Sequence, residues 1–127
     1  MKRIVICGSR DFSDYHVAME YIFECLEKEG NPSEIVVLSG GCRGSDSLGE
    51  FFAKKYGYTV EKHNANWKKY GRAAGPIRNR EMAMRADIVI CFWDGNSRGT
   101  KTMIDYAEKE NKKVYIKYIN EKTATYR

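Results

Sequence analysis

The chain has two prolines in 127 residues, no apolar run near the ~20 residues a bilayer span requires, and no cysteine pair spaced C-x-x-C. Each absence removes a class. Without a long apolar run no transmembrane helix is expected. MKRIVICG is too short an apolar opening for a secretory signal, so a cytoplasmic protein is expected. Cys7, Cys25, Cys42 and Cys91 lie too far apart for a compact zinc site or a disulfide framework. They read as free thiols, and no metal site is expected. The first apolar run is not followed by G-x-G-x-x-G, and G-x-x-x-x-G-K-[ST] occurs nowhere, so ordinary NAD(P) binding and P-loop NTPase chemistry lack their sequence basis. Linkers, low-complexity tracts and internal repeats are missing too. What remains, 127 residues with 43% hydrophobic and 13% aromatic content, has the size of one domain with its own core, residues 1–127.

What the chain does have is a regular alternation of short apolar runs and helical patterns. RIVICG (residues 3–8), EIVVLSG and DIVICFWDG are short, β-branched and glycine-bounded, which predicts buried strands. YTVEKH and KKVYIKYI are more polar and read as edge strands. SDYHVAMEYIFECLEKEGNP reads as a helix capped by Ser13, with Val17, Ile22, Phe23 and Leu26 at helical spacing and Gly30 as its stop. SDSLGEFFAKKYG reads as a second helix. Gly75-Pro76 opens a third through about Arg85, after an aromatic-rich loop, and GTKTMIDYAEKEN forms a fourth. Such alternation implies an α/β fold, a Rossmann-like three-layer domain whose parallel sheet of about five strands has the order 3-2-1-4-5. Ligands of such sheets bind beyond the carboxyl ends of the strands, near the point where the order reverses.

Three loops leave those carboxyl ends with the same ingredients. Gly8-Ser9-Arg10 follows the first strand, Ser39-Gly40-Gly41-Cys42-Arg43-Gly44 the second, and Asp94-Gly95-Asn96-Ser97-Arg98-Gly99-Thr100 the fourth. Each combines glycine, hydroxyl and arginine. Glycines let backbone N–H groups converge on an oxygen, a helix amino end adds its partial positive charge, and arginine offers a planar fork to phosphate. One such loop is an ordinary tight turn; three at one sheet edge point to an anion site. The formal charge of +5 is concentrated beside it, since residues 54–85 hold nine Lys/Arg against two Asp/Glu, net +7. That stretch reads either as a solvated face or as the footprint of a nucleotide or nucleic-acid partner.

GSR after the first strand, SGGCRGSD after the second, WKKYGRAAGPIRNREM, and DIVICFWDGNSRGTKTMIDYA together resemble the YspA-like, cpYpsA-related branch of the SLOG superfamily. That superfamily also holds the DNA-processing protein DprA and the cytokinin-activating LOG phosphoribohydrolases, and the likeness runs from about Ile4 to about Ile116. The resemblance implies a Rossmannoid domain that binds a nucleotide or nucleotide-derived ligand, as a sensor or accessory module. It carries ligand contacts onto Gly8, Ser9, Arg10, Ser39, Gly40, Gly41, Gly44, Asp46, Arg78, Asn79, Gly99 and Thr100. LOG enzymes place the glutamate of P-G-G-x-G-T-x-x-E in the loop after the fourth strand, where this chain has Met103. R-N-R-E-M resembles the LOG segment E-R-K-A-E-M, keeping Arg78 and Glu81, with Ile77 at the leading acid.

Two further function classes follow from the same residues. A nucleotide N-glycosidase needs a positioned carboxylate, and the candidates are Asp46, Glu81 and Asp94. Asp46 equally suits a helix first turn or a ribose contact, and Asp94 suits a turn of its own backbone. A single-stranded DNA binder is the other class, with Trp67 and Tyr70 among Lys68, Lys69 and Arg72 either stacking bases or packing as a lid. Cys42 has no neighbouring base to make it a nucleophile, His16 and His63 read as surface residues, and Cys7, Cys91 and Met82 read as core. Met103, Ile104, Tyr106 and Ala107 offer more apolar surface than one sheet face needs, so a homo-oligomer is expected.

Overall fold

A computed structural model describes residues 1–8, 12, 14–40 and 45–119, the side chains of 45–47 excepted. Five strands, β1 (Lys2–Gly8), β2 (Ile35–Ser39), β3 (Thr59–Lys62), β4 (Ile88–Trp93) and β5 (Lys113–Tyr118), form one sheet in the order β3-β2-β1-β4-β5. Every pairing is parallel, with Ile4 opposite Val37 on one side and Ile88 on the other. The three most apolar runs occupy the centre and the two polar ones the edges, as a sheet covered on both faces requires.

Helices α1 (Tyr15–Lys28) and α2 (Ser45–Tyr56) cover one face. Ile4, Ile6, Val37, Ile88 and Phe92 meet Ala18, Ile22, Leu48 and Phe52 there. The short α3 (Trp67–Tyr70) and a 3-10 turn over Gly71–Ala73 lead into α4 (Ala74–Arg85), which covers the other face with α5 (Arg98–Lys109). Val5, Leu38 and Val89 pack there against Met82, Ala83, Met103, Ile104 and Ala107. The alternation along each strand accounts for the two cores: odd positions of β1 point one way and even positions the other. Cys7 and Cys91 sit opposite each other in register, their Sγ atoms 2.9 Å apart in the interior. Among the described residues, no helix is long and apolar enough to cross a membrane.

Four local expectations change. The cap of α1 is Asp14, whose Oδ1 accepts from the Val17 N–H at 3.1 Å; Ser13, expected in that role, lies outside the described residues. Phe23 is not on the buried stripe. Ala18, Met19, Ile22, Cys25 and Leu26 fill it, and Phe23 lies at its exposed margin, edge-on to Phe52 and Tyr56. The aromatic-rich loop contains α3, capped by the Asn66 side chain, and α4 starts at Ala74 so that Pro76 falls within its first turn. There its missing N–H leaves no helical bond unmade. The apolar residues of α5 are consumed inside the chain: Met103, Ile104 and Ala107 are buried between α5, α4 and the sheet, and Tyr106 is partly covered. The apolar face that suggests a homo-oligomer is therefore not spare.

Candidate nucleotide site at the carboxyl edge

Helices following parallel strands run back across the sheet, so α1, α2, α4 and α5 all begin beyond its carboxyl edge. Their amino ends bring unpaired backbone N–H groups and partial positive charge to one rim. Sequence order alone dictates this concentration.

Two glycines bring backbone close to that rim. Gly8 ends β1 opposite Phe92, and a Cβ there would stand 2.6 Å from the Phe92 carbonyl oxygen and 3.0 Å from its Cβ. Gly40, buried just past β2, would drive a Cβ to within 2.5 Å of Arg78 Nη1 and 2.8 Å of its Cζ. Neither position admits a side chain without displacing its neighbour. Arg78 is not a loop arginine: it lies one turn into α4, is 7% exposed, and its Nη1 donates to the Gly40 carbonyl at 2.7 Å. Its Nε donates to Asn79 Oδ1 at 2.9 Å. The guanidinium thus fixes the start of the loop after β2 from beneath.

On the opposite face, buried Ser39 donates from Oγ to Glu50 Oε2 at 2.6 Å, and Glu50 Oε1 stands 4.0 Å from Lys62 Nζ. Glu50 follows Asp46 by one helical turn of α2. Nothing in the residue pattern singles it out, because only the fold brings α2 over the end of β2. A second network ties β3 to α4. Arg85 donates from Nη2 to Glu61 Oε1 at 2.7 Å and from Nε to Oε2, which is also 2.7 Å from His63 Nε2. These hydrogen bonds, first from Arg85 and then from His63, hold the Glu61 carboxyl down at about 2. His63 is thereby a partnered residue of the sheet edge, whereas His16 is an exposed residue of α1 beside Glu20.

The loop after β4 closes on itself. Asp94 Oδ1 accepts from the N–H groups of Asn96 and Ser97, both at 2.8 Å, as an Asx-type turn does. Trp93 Nε1 donates to the Ser97 carbonyl at 3.1 Å, and the hydroxyls of Ser97 and buried Thr100 lie 3.3 Å apart. Gly99 is exposed in the first turn of α5.

The fold therefore gathers Gly8, Ser39, Gly40, Arg78, Asn79, Asp94, Gly99 and Thr100 around one rim. Asp46 lies in the first turn of α2, and its side chain is among those not described. Ser9, Arg10, Gly41 and Gly44, with Cys42, lie outside the described residues. Glu81 is set apart from the group, exposed two turns along α4 toward the amino edge. Met103 is 1% exposed in the core and does not face the rim. Trp67 and Tyr70 are 58% and 42% exposed on α3, beside Lys68, Lys69 and Arg72. Among the described residues, no group of three or more His, Cys, Asp or Glu is placed to hold a metal ion. Cys25 offers no nucleophile, since burial pushes its thiol up to about 11.

Comparison with known proteins agrees with this architecture. The chain is 33% identical over 115 residues to the Gene 61 protein of Mycobacterium phage D29, covering 86% of this chain and 90% of that one. It superposes on the DNA processing protein A (DprA) of Streptococcus pneumoniae with a TM-score of 0.69 at 20% identity. That match covers 97% of this chain and 53% of DprA, so the chain spans about half the length of that protein. Residues 2–70, which carry β1, the loop after β2, and α2 through α3, match the model of the YspA, cpYpsA-related SLOG family, and with these residues and the five-stranded order in place the chain belongs to that family.

Proposed function

We propose that the protein binds a nucleotide or nucleotide-derived small molecule at the carboxyl edge of its sheet, as a sensor or accessory module. The observation that carries this reading is the Gly40–Arg78 contact, which presents the backbone leaving β2 at the mouth of four helix amino ends. Such a rim suits a phosphate bound mainly by backbone N–H groups and by Arg10, with the rest of the ligand lying across the strand ends. The ordering of the carboxylates argues for binding over hydrolysis. Asp94 accepts two bonds from its own turn, Glu81 lies away from the rim, and Met103 is enclosed in the core. A thermal-shift series with nucleoside mono-, di- and triphosphates, NAD, ADP-ribose and cyclic nucleotides tests the reading, because a ligand bound at 100 times its Kd raises stability by about 2.7 kcal/mol. No shift with any of them would oppose it.

One observation favours a second reading, single-stranded DNA binding. Trp67 and Tyr70 stand exposed among three basic residues, and Lys69 Nζ lies 5.1 Å from the Tyr70 ring centre. Exposed rings flanked by cations are the elements of a base-stacking platform. Oligonucleotide binding that weakens steeply with salt, and is lost in Trp67→Ala, would support this second reading over the first.

A further inference from the structure

The carboxylate at the start of α1 does more than the helix requires. Asp14 is 7% exposed, and Oδ1 alone satisfies the cap by accepting from the Val17 N–H. Oδ2 is buried and has no hydrogen-bond partner among the described residues. Serine, threonine or asparagine would cap the helix about as well, so capping does not explain a second, enclosed oxygen. An acceptor removed from water without a donor is unfavourable, and none of the described residues supplies one here.

The surroundings place the start of α1. Phe12, two residues earlier, stacks on Phe92 with ring centres 5.0 Å apart, and Phe92 pairs in register with Gly8. The start of α1 is thereby held at the carboxyl ends of β1 and β4, where the strand order reverses and open α/β sheets bind ligands. A carboxylate here also offsets the positive end of α1, making this helix start poorly suited to a phosphate. Phosphate then belongs with the backbone leaving β2, and the uncharged part of the ligand with α1.

We infer that Asp14 contacts the ligand, its Oδ2 accepting a hydrogen bond from an uncharged donor, a sugar hydroxyl or a base amino group, of the nucleotide-like molecule; this rests on the proposed nucleotide site. The polarity of the bound molecule follows: anionic end over β2, donor end over the β1–β4 crevice.

The test is calorimetric titration of the full chain and of Asp14→Ser, which keeps a cap oxygen and removes the second one. The probes are AMP, GMP, CMP and UMP, followed by the 2′-deoxy and 3′-deoxy forms of the tightest and, where its base carries an exocyclic amino group, the form lacking it. Asp14→Ser is expected to melt within about 3 °C of wild type without ligand, because the cap is retained. It should bind the tightest probe at least tenfold more weakly, and should no longer distinguish that probe from the analogue whose loss of a donor weakens wild-type binding. The analogue that wild type rejects identifies the donor as sugar or base. If Asp14→Ser melts early, Asp14→Asn serves, keeping both cap and volume. Equal affinity of wild type and the folded variant overturns the inference while leaving the nucleotide site standing. Wild-type binding that requires Mg²⁺ and ignores every donor deletion also overturns it. If wild type binds none of the four, the tightest ligand of the thermal-shift series takes their place, and failure to bind any ligand of that series refutes the nucleotide site and the inference together.

Discussion

Arg78 Nη1 donates to the carbonyl oxygen of Gly40 at 2.7 Å across 38 residues of chain. The bond joins the first turn and a half of α4 to the residue just past β2, and it fills the space that a Gly40 side chain would take. Removing a buried charged donor abandons the carbonyl it serves, so Arg78→Ala should lose about 1.5 to 3 kcal/mol in urea denaturation. Ligand affinity should fall with it, because the loop start loses its support. Arg78→Lys, which lacks the planar fork, is expected to fall between alanine and wild type. Unchanged urea midpoints for both variants would contradict this role.

Glycine at positions 8 and 99 should behave in opposite ways. Gly8→Ala sets a methyl 2.6 Å from the backbone oxygen of Phe92, which belongs to a central strand and cannot swing aside. A loss of about 1 to 3 kcal/mol is expected, the range of an overpacked interior. A methyl added at Gly99, in the first turn of α5, would meet nothing within 4 Å. Gly99→Ala should leave the melting temperature unchanged or raise it slightly. Loss of ligand binding in Gly99→Ala, with the fold intact, would mark that backbone as part of the ligand contact.

Acid should expose the Glu61 network. The carboxyl is held at about 2 in the folded chain, below the ordinary carboxylate range, by hydrogen bonds from Arg85 and His63. Its contribution is therefore complete above that ordinary range and is lost as pH falls toward 2. Wild type should lose urea resistance progressively below about pH 4.5, and Glu61→Gln should start less stable and show a shallower decline over that interval. Parallel pH profiles for the two proteins would contradict the assignment.

Met103 tests whether an enzyme of the LOG type lies one substitution away. Its side chain packs with Val5, Met82 and Val89 in the core, so Met103→Glu places a carboxylate in apolar surroundings. The variant is expected to unfold, or to lose several kcal/mol, rather than gain turnover, whereas Met103→Leu should lose less than about 1.5 kcal/mol. A folded Met103→Glu protein that releases free base from a nucleoside monophosphate would reverse this view.

The strands and their order are legible because burial on both faces writes itself as continuous apolar runs, and RIVICG, EIVVLSG and DIVICFWDG form β1, β2 and β4. The polar runs fall to the edges for the same reason. Side chains whose partners are distant in sequence are not legible. Arg78 is assigned to the ligand by resemblance, but its contact with Gly40 emerges only from the fold, and Glu50 acquires meaning only from Ser39 across α2. The apolar residues of α5 resemble an interface because periodicity reports a buried face without saying what covers it; α4 covers it. Ser13 and Asp14 are indistinguishable as caps in the sequence, since both residue types cap helices and only coordinates show which oxygen meets the Val17 N–H.

Whether the carboxyl edge holds a small nucleotide is the central question. Calorimetric titration of the wild-type chain with nucleoside monophosphates and with a single-stranded oligonucleotide, each at 50 and 200 mM salt, tests it most directly. Saturable binding of one mononucleotide per chain is expected, changing little between the two salts and weakened in Arg78→Ala. Absence of mononucleotide binding, together with oligonucleotide affinity that drops by about a hundredfold or more over the same interval, would contradict it and assign the edge to nucleic acid.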